Sequence, residues 1–461
     1  SDRTVAVLPF RNLGRPDDDY LADEVTDDLI DGLSMTPRLK VRSRGAMEKY
    51  RGKTVDPREV GEELGVQVVV DGSVRKVGGG VRITARLVSV ADGFQLWAKR
   101  FDRPEQEVLA VNDEVAKAVA AALTLDGARP TRDAPSDPVT IDLYLRARHA
   151  YRRFWPQAME EAVRLFDQVL ERAPEDPMVL AGAALANARH AFFTGERRDV
   201  AVALGEKAVA LGPTLGDAHL ALANALFQVG DVERSVRELR QAIAKNPGLA
   251  EAHASLGRIL LEIGVEEEGR RRVEAAIQLD EQVPLAHAAL ARMHALRGDW
   301  DEVERLYRAA AGHDASQGAW TALTRSAMWR RTLEETNRVL RGLDVELRDG
   351  TIPAVVLSIV RDRRFPPNWA EIIGERAGTQ SAARSRVFFN QLEAEAHAYL
   401  GDDARALDPI ERALDAGLID FAWLERCPLF GDRLRAEPRF VAARERLRER
   451  VARIVAAYRA P

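Results

Sequence analysis

The chain has 461 residues, 46% apolar, 30% charged and only 6% aromatic, with a formal net charge of −5. That length supports two or three domains, each with its own core, and so small a charge leaves no global field to recruit nucleic acid or an anionic membrane surface. The single cysteine, Cys427, excludes an internal disulfide and any cysteine-only metal cluster.

No stretch approaches the roughly 18 apolar residues of a membrane helix. A strand-like run begins by residue 4, behind a Ser1 that is not an initiator methionine. This start reads as a piece cut from a longer polypeptide whose effector domain lies upstream. The lone cysteine favours the cytoplasm. A membrane helix ahead of Ser1 would instead place the chain in the periplasm.

The first 125 residues read as alternating strands and helices. "TVAVLPF" is a β-branched run closed by Pro9, hence a buried strand. "DDDYLADEVTDDLIDGL" repeats Leu21, Val25, Leu29, Ile30 and Leu33 at three and four, the stripe of an amphipathic helix. "LKVRSR" is a second strand. "DPREVGEELG" is a short helix with Asp56 as cap, Pro57 in the first turn and Gly65 as stop. Then "VQVVVDGSVRK", "GVRITARLVSV" and "GFQLWAKRF" read as antiparallel strands, with "ADG" at 91–93 making one reversal. A helix, "EVLAVNDEVAKAVAAAL", closes the unit.

Two features of this region invite chemistry. A phosphate-binding glycine loop leaves a strand and enters a helix, where backbone amides converge. Gly78 to Gly80 instead join strand to strand and lack the Lys-Ser/Thr pair of a P-loop, so they read as a hairpin tip. The acids Asp17, Asp18 and Asp19 lack the alternating oxygens and glycine turn of a calcium loop. They read as helix-start acids favoured by the dipole.

In order, "TVAVLPF", "DYLADEVTDDLIDGL", "EVGEELGVQVVVDGSVRK" and "VRITARLVSVADGFQLWAKRFD" resemble the TolB amino-terminal-like (FlgO-like) domain. The resemblance implies a non-catalytic α/β module. Such modules precede tetratricopeptide repeats in bacteria and follow nucleotide cyclase, protein kinase or winged-helix domains.

"DGARPTRDAPSDP", 126–138, mixes Gly, Pro, Asp and Ser without period and reads as a linker. Beyond it the chain repeats. In "DAHLALANALFQVGD", "EAHASLGRILLEIGV" and "LAHAALARMHALRGD", His219, His253 and His287 fall 34 residues apart, as do Ala223, Gly257 and Ala291 and the turn residues Gly230, Gly264 and Gly298. This is the tetratricopeptide pattern. Pro213 and Pro247 keep the period. Pro174 to Pro213 carries five extra residues, placed in the loop "TGERRD". The repeats run over 139–315. In 316–461 the phase is lost, recovered by "QLEAEAHAYLGDDARALDPIERALDAG", and ended by "PRFVAARERLRERVARIVAAY", an amphipathic capping helix.

The expected fold is therefore an α/β amino-terminal domain with a mixed sheet, followed by an all-α tetratricopeptide solenoid. The histidine ladder is not a metal site, because stacked repeats lie roughly 8–10 Å apart and zinc–nitrogen bonds measure about 2 Å. Groove-facing positions of the repeats place Asn224, Phe227 and Gln228 beside Arg258, Leu261 and Glu262, then Arg292. These amides and guanidiniums suit a peptide backbone or carboxylate, against the bland alternative of an internal Arg258–Glu262 (i, i+4) pair.

No G-x-S-x-G, H-E-x-x-H or kinase catalytic loop occurs, and no cofactor is expected. The leading reading is a regulatory module whose groove receives a protein or peptide, without nucleic acid or membrane contact of its own. It would serve a nucleotide cyclase or, alternatively, a winged-helix transcription regulator. The rival readings are an enzyme acting on nucleotides at the α/β domain, and a scaffold that forms a homodimer through its helical tail.

Overall fold

The computed structural model describes residues 3–36, 39–53, 55–90, 95–104, 107–123, 138–152, 156–279, 283, 285–313, 317–342, 351–372 and 381–460. The linker reading, Pro138 apart, and the reversal at 91–93 lie outside the described residues.

The amino-terminal domain holds strands β1 (Arg3–Val7), β2 (Arg11–Asn12), β3 (Leu39–Val41), β4 (Val68–Val77), β5 (Gly80–Ser89) and β6 (Gln95–Pro104). The order is β3-β1-β4-β5-β6, with β2 also on β4. β1 runs parallel to β3 and β4, whereas β4, β5 and β6 are antiparallel, so the sheet is mixed. On β5, Val81, Ile83, Ala85 and Leu87 are buried, while Arg82, Thr84 and Arg86 are half-exposed. Gly78 and Gly79 close the β4–β5 hairpin with φ of 56° and 82°, in the left-handed region that a two-residue turn demands. No helix follows them, so this tip offers no converging amides to a phosphate.

Helices α1 (Asp19–Ser34) and α4 (Val108–Leu123) cover one sheet face. Helices α2 (Arg44–Glu48) and α3 (Pro57–Leu64) cover the other through Met47 and Val60, with Tyr50 from the segment between them. Asp56 caps α3 by accepting from the Arg58 amide at 2.8 Å, and Gly65 ends it left-handed.

The helical part comprises α5 (Pro138–Arg152), α6 (Pro156–Arg172), α7 (Pro177–Thr194), α8 (Arg198–Leu211), α9 (Gly216–Val229), α10 (Val232–Lys245), α11 (Ala250–Glu262), α12 (Glu266–Leu279), α13 (Ala286–Arg297) and α14 (Trp300–His313). After these come α15 (Gln317–Arg330), α16 (Glu334–Gly342), α17 (Ile352–Asp362), α18 (Ala383–Tyr399), α19 (Asp403–Asp415), α20 (Phe421–Arg426), α21 (Asp432–Ala436) and α22 (Pro438–Arg459). Neighbours pack in pairs, α5 with α6 through α13 with α14, then α18 with α19. Gly230, Gly264, Gly298 and Gly401 sit at φ of 79–90° between the helices of a pair. Close packing explains the small residue: a Cβ on Gly257 of α11 would lie 2.9 Å from the Gly269 carbonyl of α12.

Two expectations are corrected. The extra residues between Pro174 and Pro213 do not form a longer loop. Helix α7 has 18 residues where α9 has 14. Most of the insertion is thus one added helical turn, Ala191–Thr194, because α-helix hydrogen bonding accommodates about four residues per turn. Likewise α22 does more than cap the last pair. It packs on α19 to α21 and also reaches back to α10, where Ile454 joins Val236 and Leu239 in one core. The solenoid is closed on itself, and the apolar face of its tail is spent within the chain.

The apolar cluster of the sheet domain does not stop at α4. It continues through Tyr144, Leu145, Phe166 and Val179 into the first three helices of the solenoid.

Candidate functional site

Because the solenoid curls, its concave side faces α18. Arg384 near the start of α18 reaches Glu262 of α11 with bonds of 2.7 and 2.9 Å. The space between α7, α9, α11 and α13 on one side and α15 and α18 on the other is a partly open cavity of about 370 Å³. Asn224, Phe227, Gln228, Arg258, Leu261, Glu262 and Arg292 all line it. The 34-residue spacing puts them on successive first helices, and the curvature turns those helices to a common interior.

Aromatic rings form part of the walls. Phe192 and Phe193, edge to face at 5.4 Å, come from the added turn of α7. The Arg384 guanidinium lies 4.4 Å from the Phe227 ring centroid and that of Arg258 lies 5.1 Å from it.

Charges in the cavity are paired with one exception. Arg189 bonds Glu251 at 3.0 Å, Arg384 holds Glu262, Arg292 pairs with Asp420, and buried Arg325 bonds Glu395 at 2.7 Å. The expected Arg258–Glu262 pair is not formed: Arg384 takes the Glu262 carboxylate from across the cavity. Arg258 makes no hydrogen bond or ion pair among the described residues. Burial lowers its pKa from the ordinary arginine value, and the attraction of Glu262 offsets this only in part. Asn224 turns its amide back to the Leu220 carbonyl at 3.0 Å, which leaves its oxygen as the group it can offer.

Arg292 and Arg325 belong to one linked polar wall, Arg292 through Asp420 and Arg325 through Glu395 and Trp423, while Arg384 stands apart with Glu262. Gln391 donates to Asp420 at 3.1 Å, and Asp420 accepts from the Trp423 amide at 3.0 Å to cap α20. Of these, only Arg292 was visible in the repeat pattern. Arg325 and Arg384 lie where the repeat phase is lost or recovered after a gap, and no spacing signal brings them to the groove.

The histidine ladder is a packing device. His219 Nε2 lies 3.1 Å from the Pro213 carbonyl and His253 Nε2 lies 3.0 Å from the Pro247 carbonyl. The shared 34-residue period of His and Pro is thus one repeated contact. Among the described residues, no group of His, Cys, Asp and Glu is placed to hold a metal ion, and no helix is long and apolar enough to cross a membrane.

The acids of α1 have a use that the sequence did not disclose. Glu24, Asp27 and Asp28 are buried. Arg148 of α5 lies 3.3 Å from Glu24 and 3.1 Å from Asp28, and Asn112 of α4 donates to Asp28 at 2.9 Å. Tyr20 donates to Asp142 of α5, and burial together with Asp142 pushes its phenol up to about 12. The acidic helix is the face on which the solenoid docks.

Residues 1–118 match the family described as HilA/YgeH-like transcriptional regulator, second domain, and residues 286–318 match a tetratricopeptide repeat. Over 177 residues the chain is 39% identical to "Putative adenylate cyclase 3" of Rhizobium meliloti (strain 1021), taking in 37% of this chain. The match spans 30% of that relative's length. Among solved structures, yeast Tom70 is 14% identical, covering 69% of each chain with a TM-score of 0.37. TolB from Acinetobacter baumannii is 16% identical, covering 28% of this chain and 30% of its own, with a TM-score of 0.22. The chain joins a mixed-sheet α/β domain to a tetratricopeptide protein-interaction module.

Proposed function

We propose that this chain is the regulatory part of a larger signalling protein of the adenylate cyclase kind. The solenoid receives a protein or peptide ligand, and the α/β domain, read as a TolB amino-terminal-like (FlgO-like) module, passes that event to an effector elsewhere in the polypeptide. The carrying observation is the cavity on the concave side, where the groove-facing residues of three successive repeats converge around one uncompensated guanidinium. The 39% identity with the Rhizobium protein supports a cyclase as effector. The shared apolar core and the ion pairs between α1 and α5 support rigid coupling between the two parts.

The test is the cyclic-nucleotide output of the full-length polypeptide. The double substitution Arg258→Ala with Arg292→Ala should change that output several-fold, with fold checked by circular dichroism, while the isolated chain turns over neither ATP nor GTP. Unchanged output in a folded double variant, or turnover by the isolated chain, contradicts the reading. The match of residues 1–118 to a transcriptional-regulator domain favours a second reading, with a DNA-binding effector. In that case the same substitutions change transcription from a target promoter and the full-length protein makes no cyclic nucleotide.

A further inference from the structure

Arg258 is a cation without a counter-ion in a cavity whose other charges are matched. Five arginines and three carboxylates, Glu251, Glu262 and Asp420, line the cavity, with Glu395 buried behind Arg325, and each of these four carboxylates is engaged by an arginine other than Arg258. A half-buried charge without a hydrogen bond or ion pair is costly, and proteins ordinarily neutralise such a charge or pair it. Arg258 cannot neutralise near neutral pH, because its guanidinium loses its proton only at far higher pH.

A second observation points the same way. Gln228 Oε1, Trp329 Nε1 and Arg384 Nη1 are buried, make no hydrogen bond, and belong to residues that line the same cavity. Buried polar atoms almost always have partners, and these orphans converge on one space. They offer two donors and one acceptor beside the five-donor fork of Arg258.

Resting on the reading of this cavity as the receptor site, but replacing the protein or peptide ligand of that reading, we propose that its ligand is a small organic monocarboxylate with a flat apolar body. Arg258 engages the carboxylate and the aromatic rings of the walls flank the body. One carboxylate balances one guanidinium, and the planar fork accepts it through two parallel bonds. A phosphate dianion would leave a net negative charge in the apolar space, and a cation would add to the imbalance. About 370 Å³ lies at the lower end of small-molecule sites and below what a folded partner fills. The chain's own α18 already covers the concave side on which an extended protein segment would lie.

Titration calorimetry on the intact chain with 4-phenylbutyrate, and with 4-phenyl-1-butanol as its uncharged counterpart, tests this. The wild type should bind one phenylbutyrate saturably, and the alcohol about tenfold or more weakly, the difference one charge-assisted pair contributes. Arg258→Gln should weaken the acid by a similar factor and leave the alcohol unchanged, with Arg258→Lys recovering part of the loss. No saturable binding of the acid at millimolar concentration, equal affinity for acid and alcohol, or undiminished acid binding by Arg258→Gln overturns the proposal. A tetrapeptide ending in phenylalanine, as free acid and as amide, forms a second arm. If the free-acid peptide binds about tenfold tighter than phenylbutyrate, the site takes a peptide terminus and the small-acid proposal fails. Because this assay reads direct binding and the earlier one reads effector output, failure of either leaves the other standing.

Discussion

Arg148, where the solenoid meets the sheet domain, and Arg258, inside the solenoid, are two enclosed arginines in opposite circumstances. Burial opposes the charge of both. At Arg148, Glu24 and Asp28 outweigh burial and hold its pKa well above the ordinary arginine value. At Arg258 burial prevails and the pKa falls. One guanidinium completes a junction between two parts of the same chain. The other is left with its bonding capacity unspent, facing a space. The contrast separates a finished interface from a surface that, in the reading proposed above, receives a ligand.

The largest test of that contrast is Arg148→Met. It removes the cation from beside the Glu24 and Asp28 side chains, which are only 1% and 6% exposed. It should cost about 3–5 kcal/mol, the usual penalty for removing one member of a buried ion pair. Urea unfolding measures it, and a loss under about 1 kcal/mol would mean that the junction behaves like a surface salt bridge.

Gly79→Ala, in the hairpin of the sheet domain, comes next. At φ of 82° a Cβ is strained, so stability should fall by about 1–2 kcal/mol. Phenylbutyrate affinity should not move. If the substitution instead abolished saturable nucleotide binding, the rival enzymatic reading of this domain would be revived.

Arg258→Met should behave unlike Arg148→Met. Because no carboxylate is abandoned, its stability should lie within about 1 kcal/mol of wild type or above it. The same urea titration decides it, and a loss as large as that of Arg148→Met would show Arg258 to be a structural residue.

The smallest effects sharpen the comparison within the repeats. The hydrogen bond that His219 donates to the Glu238 carboxylate raises the His219 pKa, and burial lowers that of His253, both from 6.5. The His219 contribution is fully present below pH 6.5 and is lost as pH rises through its raised folded value. His253 favours the fold above pH 6.5, and that advantage is lost as pH falls through its lowered value. Stability-against-pH curves of His219→Gln and His253→Gln should therefore differ from wild type in opposite directions on either side of pH 6.5. Parallel curves would show that the two rings, though periodic in sequence, titrate alike.

Much of the fold was legible from local pattern. The alternation of Val81 to Leu87, the cap at Asp56 and the glycine turns each encode a conformation within a few residues of chain. The groove residues from Asn224 to Arg292 were legible for the same reason, since a 34-residue repeat carries each position to an equivalent place. The wall supplied by Arg325, Arg384 and Asp420 was not, because it comes from helices whose phase differs and whose approach depends on the closing of the whole solenoid. The added turn of α7 was misplaced into a loop, because an insertion of four residues preserves helical phase and leaves no break in the apolar stripe.

What the sequence by itself determined was the set of elements and their faces: period two in the sheet, period 3.6 in the helices, period 34 in the solenoid. Only the tertiary structure decided which charges meet. Arg258 lies four residues before Glu262, close enough for a pair on an isolated helix. It goes unpaired because Arg384, more than a hundred residues later, reaches that carboxylate first with two bonds. Coulomb energy depends on distance through space, and the chain's own curvature sets that distance.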